Sequence, residues 1–417
     1  MPFRVTSPRR GGLNVREGPE ICSMRHVLHR LALIACPVFS SLAGCGADPA
    51  GPTETAASVD GDHGGRPGAS AGPGGDAVAC APLAARLQAA LDAAVDAQGL
   101  PGAAAAVDLG GCSFRGAAGV ANIEPRTPMK PGDLFRAGSI TKTFISTLVL
   151  MLRAEGALSL DDAVSAHVAG VPRGEQITIR QLLNHTSGLF NYTDTDAFLS
   201  AVEADPTRAW TPEELIAFSA AEPPYFEPGR GFAYSNTNYI VAGCLVEAVS
   251  GEPVVALLRA RILESAGLAS TYLDGAEPAV PGLVHGYGSY GGELVDTTSA
   301  ADPSSAWTSG GLVSNTGDLT TFFVRLLGGG LLGPAELAEM TTWVGALPAD
   351  ARGYGLGLAR RASPVGATYG HGGSMWGFVS ASYRAVERDA AITVLVNHEE
   401  GNVEAIVDDL LRVLKGP

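Results

Sequence analysis

The chain has 417 residues and a formal net charge of −15. A surface with this charge repels nucleic acid and anionic lipid headgroups, so the composition argues against a nucleic-acid-binding protein. After residue 45 the sequence contains no apolar run of about 18 or more residues, the length that a membrane-spanning helix needs. We therefore expect contact with a membrane only through a lipid anchor.

The first 45 residues have the pattern of an export signal. Basic residues at 25–30 precede the apolar stretch 31–42, which is too short to cross a bilayer as a helix. The stretch ends in Leu-Ala-Gly followed by Cys45, which resembles a bacterial lipobox and predicts lipidation of the Cys45 thiol. An ordinary signal peptide is the alternative. Residues 46–78 are rich in Gly, Pro and Ala and predict a flexible tether.

We therefore expect an exported, lipid-anchored protein of the cell envelope, whose folded domain spans residues 79–417. Two cysteines of this domain can pair. A predicted helix over 82–98 and a returning strand over 102–109 have similar lengths, so Cys112 lands beside Cys80. In an exported protein these positions predict a Cys80–Cys112 disulfide, with two free thiols as the alternative.

The order of predicted elements indicates an α/β (α+β) domain. Short strands at 103–109 and 113–120 precede a helix from Ser139 to Glu155, and helices and loops then follow to Gly267. We assign a helical lobe to about 156–300. Strand-like segments return at 354–359, 378–386 and 390–397, after a helix that we expect Thr316 to cap, and a helix over 403–414 ends the chain. The pattern predicts an antiparallel sheet flanked by terminal helices, with an inserted all-helical lobe.

A nucleophile candidate lies at the start of the Ser139 helix. Ser139 and Lys142 are three residues apart and share a helix face, so their side chains can touch. A serine hydroxyl needs a neighbouring base to act as a nucleophile, and a lysine amine becomes that base when its pKa is lowered. Lysine occurs only at positions 130, 142 and 415, which makes this spacing informative.

Two later segments carry residues that could complete such a site. The polar loop at 228–236 contains Tyr234, a possible proton shuttle, and Asn236, whose amide can accept from an ammonium and donate to a carbonyl. The segment 369–377 contains consecutive glycines after His371, which let the backbone approach a ligand and present N–H groups to an oxyanion.

Together these segments resemble the penicillin-recognising serine enzymes, the group of class C β-lactamases, Streptomyces-type D-alanyl-D-alanine carboxypeptidases and related esterases. The resemblance covers about residues 80–415 and implies the β-lactamase/transpeptidase-like fold. The family motifs and their matches are Ser-x-x-Lys at Ser139 and Lys142, Tyr-x-Asn at Tyr234 and Asn236, and Lys/His-Thr/Ser-Gly at His371, Gly372 and Gly373.

The resemblance also implies roles for these residues. Ser139 would form an acyl-enzyme, with Lys142 either as its base or as the charge that activates Tyr234. Tyr234 would pass a proton to the leaving group, Asn236 would orient the substrate amide, and the N–H groups of Ser139 and Ser374 would form the oxyanion hole. The triplet departs from the family pattern, because His371 replaces the lysine of class C β-lactamases and Gly372 provides no hydroxyl, so the residue that would hold a substrate carboxylate is not identified.

The resulting hypothesis is a serine hydrolase resembling a D-alanyl-D-alanine carboxypeptidase, acting as a monomer without cofactor on a small molecule or a peptidoglycan-derived peptide. An esterase, a β-lactamase and a catalytically silent protein that binds cell-wall fragments are the alternatives. Three other motifs favour structural interpretations. We expect no metal site at 397–400, no nucleotide site at the G-x-G-x-x-G match over 286–291, and a loop-stabilising role for His185.

Overall fold

The computed structural model describes residues 75–347 and 352–415. The predicted signal peptide with Cys45 and most of the predicted tether lie outside these residues. The first helix, Gly75–Gln98, begins inside the stretch that we expected to be tether. The predicted disulfide is present and joins Cys80, on this helix, to Cys112.

A large antiparallel sheet forms the centre of the domain. The strands of the described residues are β1 Gly102–Leu109, β2 Cys112–Asn122, β3 Thr127–Pro128, β4 Phe135–Arg136, β5 Tyr272–Leu273, β6 Tyr287–Tyr290, β7 Glu293–Asp296, β8 Leu312–Ser314, β9 Val344–Leu347, β10 Arg352–Tyr354, β11 Ala359–Ser363, β12 Gly366–Met375, β13 Phe378–Ala385 and β14 Ala390–Val396. In this part of the chain the large sheet has nine strands, in the order β3-β2-β1-β14-β13-β12-β11-β10-β9. Both ends of the domain therefore contribute neighbouring strands, as the sequence predicted.

Helices pack on both faces of this sheet, and further helices form the lobe between its two halves. In the described residues the helices are α1 Gly75–Gln98, α2 Thr141–Ala154, α3 Ile179–Leu183, α4 Asp196–Ala204, α5 Pro212–Ala220, α6 Thr237–Ser250, α7 Val254–Leu258, α8 Glu264–Ala266, α9 Trp307–Gly310, α10 Thr316–Leu327, α11 Pro334–Met340 and α12 Val403–Val413. The terminal helices α1 and α12 pack on one face, and α10 packs on the other. Every residue of β14 is buried for this reason, which explains its continuous apolar sequence.

Helix starts follow local sequence chemistry in most places. Thr178 and Thr211 each form a capping box, in which the threonine side chain accepts from the backbone and a Gln or Glu side chain returns the bond. The expected cap at Thr316 is wrong by one residue. Asn315 caps α10, because its side chain accepts from the N–H of Asp318 at 2.8 Å.

The predicted all-helical lobe is also wrong in its last third. Helices and loops continue to α8, but β5 then joins β4 and β8 in a three-stranded sheet, and β6 and β7 form a hairpin. Gly291 and Gly292 occupy the turn of this hairpin with φ angles of 62° and 86°. Two adjacent residues with positive φ favour a tight hairpin turn. The G-x-G-x-x-G match therefore lies on a strand and the turn that follows it.

The predicted strand over 354–359 is two strands, β10 and β11, separated by a turn. Gly355 donates its N–H to the carbonyl of Leu358 at 2.8 Å, and Gly357 has a φ of 68°. Strand β12 was not predicted, because glycines interrupt its apolar pattern. Both differences matter for the site, since Tyr354 and β12 border it.

In the residues described, no single helix is long and apolar enough to cross a bilayer. Within 75–347 and 352–415, one pair of helical segments, Thr237–Ser250 and Val254–Ala266, reaches such a length and hydropathy when taken together, and the two segments are bent by 84° relative to each other.

Candidate active site

The nucleophile candidate lies in a tight turn between β4 and α2. Gly138–Ile140 forms a 3-10 turn, and Gly138 has a φ of 54°. A Cβ at Gly138 would lie 2.7 Å from the backbone nitrogen of Ser374, so only glycine allows β12 to approach this closely. The turn is fixed from within, because Thr141 donates its hydroxyl proton to the Gly138 carbonyl at 2.7 Å.

Lys142 follows one helical turn later and is completely buried. Its ammonium nitrogen Nζ lies 2.9 Å from Ser139 Oγ, 2.7 Å from Asn236 Oδ1 and 2.7 Å from the carbonyl oxygen of Ser309. These three acceptors match the three N–H donors of a lysine ammonium. Ser309 was missed by sequence analysis, since a backbone carbonyl leaves no signal in the letters.

Tyr234 and Asn236, on the loop before α6, both lie beside the ammonium group of Lys142. The Nζ atom of Lys142 lies 4.8 Å from the centre of the Tyr234 ring, and the ring of His185 packs on Tyr234 with centroids 4.2 Å apart. His185 is buried and its Nδ1 accepts from the N–H of Ser235 at 3.2 Å, which fits its predicted loop-stabilising role. Burial, together with the charge of Lys142, lowers the pKa of His185 well below its ordinary value.

The His371 segment forms the end of β12 beside the nucleophile turn. A Cβ at Gly373 would lie 2.1 Å from the carbonyl oxygen of Ala137 and 3.0 Å from the N atom of Ser139. The glycine therefore permits the contact between strand and nucleophile, although Gly372 and Gly373 do not line the cavity at Ser139.

His371 was predicted to bind substrate, but its side chain is buried. It is 1% exposed, and its Nε2 lies 2.9 Å from the hydroxyl of Tyr354. Burial lowers the pKa of His371 to about 3, so the imidazole is neutral at physiological pH. It is absent from the residues that line the described cavity, so the position of its ring does not support the predicted role in binding substrate.

The cavity itself has a volume of about 120 Å³ and opens over Ser139. Of the predicted residues, Ser139, Tyr234, Asn236 and Ser374 line it. Sequence analysis missed two other parts of the lining. The segment Asn191 to Asp194 is mostly polar, and a second group of lining residues, Phe198, Leu199, Met375 and Trp376, is apolar.

Asp194 is the acidic group of this lining. Its Oδ1 accepts from the side-chain amide of Asn191 at 2.9 Å, and its Oδ2 accepts from the hydroxyl of Tyr225 at 3.1 Å. Burial raises the pKa of Asp194, and the hydrogen bonds oppose this effect. Among the described residues that line the cavity there is no lysine, arginine or histidine, so Asp194 faces the cavity without a lining cation.

The segment 397–400 has a structural role. The carboxylate of Glu399 accepts from the hydroxyl of Tyr290 and, at 3.2 Å, from the N–H of Gly377 in the turn between β12 and β13. Within 75–347 and 352–415 no group of three His, Cys, Asp or Glu side chains is arranged to hold a metal ion.

Comparison with known proteins indicates the family of this chain. The family model described as Beta-lactamase matches residues 87–416. Among curated proteins, the chain is 27% identical over 301 residues to Penicillin-binding protein 4* of Bacillus subtilis and 35% identical over 216 residues to Esterase EstB of Burkholderia gladioli. These matches cover 68% and 48% of this chain, and 64% and 55% of the two relatives, so less than two thirds of each relative is matched.

Among solved structures, the fold is similar to a D-stereospecific amidohydrolase from Streptomyces sp., with a TM-score of 0.71 and 35% sequence identity. The similarity covers 78% of this chain and 97% of that chain. The chain therefore belongs to the beta-lactamase/transpeptidase family of serine hydrolases.

Proposed function

We propose that the protein hydrolyses amides or esters whose acyl group carries a free amino group and an apolar side chain, as in an amino-acid amide. The observation that carries the proposal is the position of Asp194 in the cavity that opens over Ser139. A carboxylate in a partly enclosed site attracts an ammonium group and repels a carboxylate. This preference separates the proposal from the carboxypeptidase hypothesis, whose substrate ends in a carboxylate.

The chemical steps use the residues already described. Ser139 Oγ attacks the acyl carbon while its proton passes to the neutral form of Lys142, whose Nζ lies 2.9 Å away. The N–H groups of Ser139 and Ser374 stabilise the oxyanion. Tyr234 delivers a proton to the leaving amine or alcohol as its bond to carbon breaks, and water then releases the acid from Ser139 by the reverse proton path.

The apolar part of the cavity suits the acyl side chain. Phe198 and Leu199 come from α4, and Met375 and Trp376 come from the turn after β12. An aromatic or aliphatic side chain would bury its surface against these residues, which favours its binding by about 25 cal/mol per Å² of apolar surface removed from water. The similarity to an amidohydrolase described as D-stereospecific supports an amide of a D-amino acid.

The test compares three substrates with the same enzyme. These are D-phenylalanine p-nitroanilide, its analogue without the amino group, and an N-acylated peptide that ends in D-Ala-D-Ala. We expect kcat/KM for the amino-bearing anilide to exceed that of its analogue by about tenfold or more, because a charge pair in a partly enclosed site contributes about 1.5 kcal/mol or more. Ser139→Ala should abolish turnover.

Asp194→Asn is the decisive variant, and Glu222→Gln is its matched control. Glu222 is exposed and does not line the cavity, so its change from carboxylate to amide tests the loss of charge alone. We expect Asp194→Asn to remove most of the preference for the amino group and Glu222→Gln to leave it. Faster hydrolysis of the D-Ala-D-Ala peptide than of the amino-bearing anilide would contradict the proposal and support the carboxypeptidase.

A further inference from the structure

Trp376 has an unusual backbone conformation in the turn between β12 and β13. Its φ angle is 24°, a positive value that is rare for a bulky side chain. A residue keeps such a conformation only where the surrounding structure holds it. Because Trp376 and Met375 line the cavity over Ser139, the contacts that hold this turn also set the shape of the cavity.

These contacts come from residues outside the cavity and act on Gly377, which follows Trp376. The N–H of Gly377 donates to Glu399 Oε2 at 3.2 Å, and its carbonyl oxygen accepts from the N–H of Tyr287 at 3.2 Å. A Cβ at Gly377 would lie 2.5 Å from the backbone carbonyl carbon of Gly286, so only glycine allows the chain before β6 to approach this closely. Both polar groups of Gly377 are therefore bound by other segments.

Glu399 is itself fixed in place. It is buried, its Oε1 accepts from the hydroxyl of Tyr290, and its backbone N–H donates to the carbonyl of Tyr287 at 2.9 Å. A buried carboxylate is costly unless it is hydrogen-bonded, and here one of its partners is the N–H of Gly377. The described lining of the cavity includes neither Glu399 nor the two tyrosines.

We propose that Glu399 is a positioning residue that fixes Trp376 through Gly377, and that it thereby determines which acyl side chains the cavity accepts. Glu399 does not touch the substrate. It holds the Trp376 ring against the substrate side chain, so its loss widens or displaces the apolar part of the cavity. The inference rests on the proposed function in one respect, since it takes this apolar part as the site of the acyl side chain.

The experiment compares two esters that differ in the size of the acyl group, p-nitrophenyl 3-phenylpropionate and p-nitrophenyl acetate. The readout is the ratio of their kcat/KM values, in which a general loss of activity cancels. Neither ester has an amino group, so the ratio does not depend on charge pairing with Asp194. We expect Glu399→Ala to lower the ratio by about tenfold, because a displaced wall loses contact with the larger group only.

A double-mutant cycle with Trp376→Ala tests whether Glu399 acts through the tryptophan. Trp376→Ala alone should lower the ratio by about tenfold. In that background Glu399→Ala should change the ratio by less than about twofold, because two changes that act through one contact are not additive. A role of Glu399 in overall folding alone would not depend on which residue stands at position 376.

Three further variants define the contact. Glu399→Gln keeps an acceptor oxygen for the Gly377 N–H, so its ratio should stay within about threefold of the wild type. Tyr290→Phe keeps Glu399 and removes one of its donors, and it should lower the ratio by about threefold. Glu400→Ala, at the exposed neighbouring carboxylate, is the matched control and should leave the ratio unchanged. Melting temperatures establish that folded proteins are compared.

The outcomes separate this inference from the proposed function. An unchanged ratio in both Glu399→Ala and Tyr290→Phe, or additive effects of Glu399→Ala and Trp376→Ala, would overturn the role of Glu399. An unchanged ratio in Trp376→Ala would overturn it as well and would also reject the apolar acyl site. A coupled loss of the ratio in an enzyme that shows no preference for amino-bearing anilides would support the role of Glu399 and reject the amino-group specificity.

Discussion

The two walls of the cavity are built in different ways. On the sheet side, the turn Gly138–Ile140 packs directly against β12. A Cβ at Gly373 of this strand would lie 2.1 Å from the Ala137 carbonyl oxygen. The opposite wall presents side chains from a short turn and from α4, including Asp194 and Leu199. The first wall is fixed by backbone contact and the second by side chains. We therefore expect that mutations can separate effects on reaction chemistry from effects on substrate choice.

The largest effect is expected at Lys142, the proposed proton acceptor of Ser139. Lys142→Met should lower kcat by about a thousandfold or more, because the serine loses the group that takes its proton. Lys130→Met is the control, since Lys130 is an exposed lysine outside the cavity. Steady-state hydrolysis of a p-nitrophenyl ester measures both. Comparable activity in the two variants would contradict the role of Lys142.

The backbone contact can be tested without touching a reactive group. Gly373→Ala should lower kcat by about a hundredfold, because the added Cβ pushes β12 away from Ser139 and a displacement of about 1 Å has an effect of this size. Gly132→Ala is a suitable control, since a Cβ at Gly132 meets no atom within 4 Å. Wild-type kcat in Gly373→Ala would show that the close approach is not needed.

The buried His371 predicts a dependence of stability on pH. Its pKa in the folded protein is about 3, against about 6.5 when unfolded, so below pH 6.5 the unfolded chain binds the extra proton. Stability is therefore lost as the pH falls through that window. For one histidine the loss between pH 7 and pH 5 is about 2 kcal/mol.

Urea unfolding of the wild type and of His371→Asn measures this loss. The variant should show a smaller decrease between pH 7 and pH 5 by about that amount, whereas the two proteins should change alike between pH 7.5 and pH 8.5. Equal decreases between pH 7 and pH 5 would mean that His371 is protonated in the folded state.

The smallest effect is expected from Leu199, on the wall opposite the sheet. Leu199→Ala should lower kcat/KM for D-phenylalanine p-nitroanilide by about tenfold, because it removes apolar contact with the substrate side chain. Hydrolysis of a p-nitrophenyl acetate, whose acyl group is small, should change by less than about twofold. Leu294→Ala, at an exposed leucine, controls for the loss of an apolar side chain. An equal loss on both substrates would place Leu199 in support of the chemistry.

Local chemistry made several features predictable. The capping boxes at Thr178 and Thr211 depend on residues three positions apart, and the Ser139–Lys142 pair depends on one helical turn. The sheet built from both chain ends followed from apolar strand patterns. Strand β12 was missed because its glycines have low strand propensity, and its place in the sheet is set by its neighbours β11 and β13.

The sequence by itself determined the Ser139–Lys142 pair, the Tyr234–Asn236 motif and the family to which they point, because each of these motifs lies within a short segment. Tertiary structure decided which groups surround the cavity. It buried His371 beside Tyr354, brought the Ser309 carbonyl to Lys142 and placed Asp194 in the cavity. No local pattern encodes these contacts, since each depends on how distant segments pack and on which side chains that packing leaves facing the cavity.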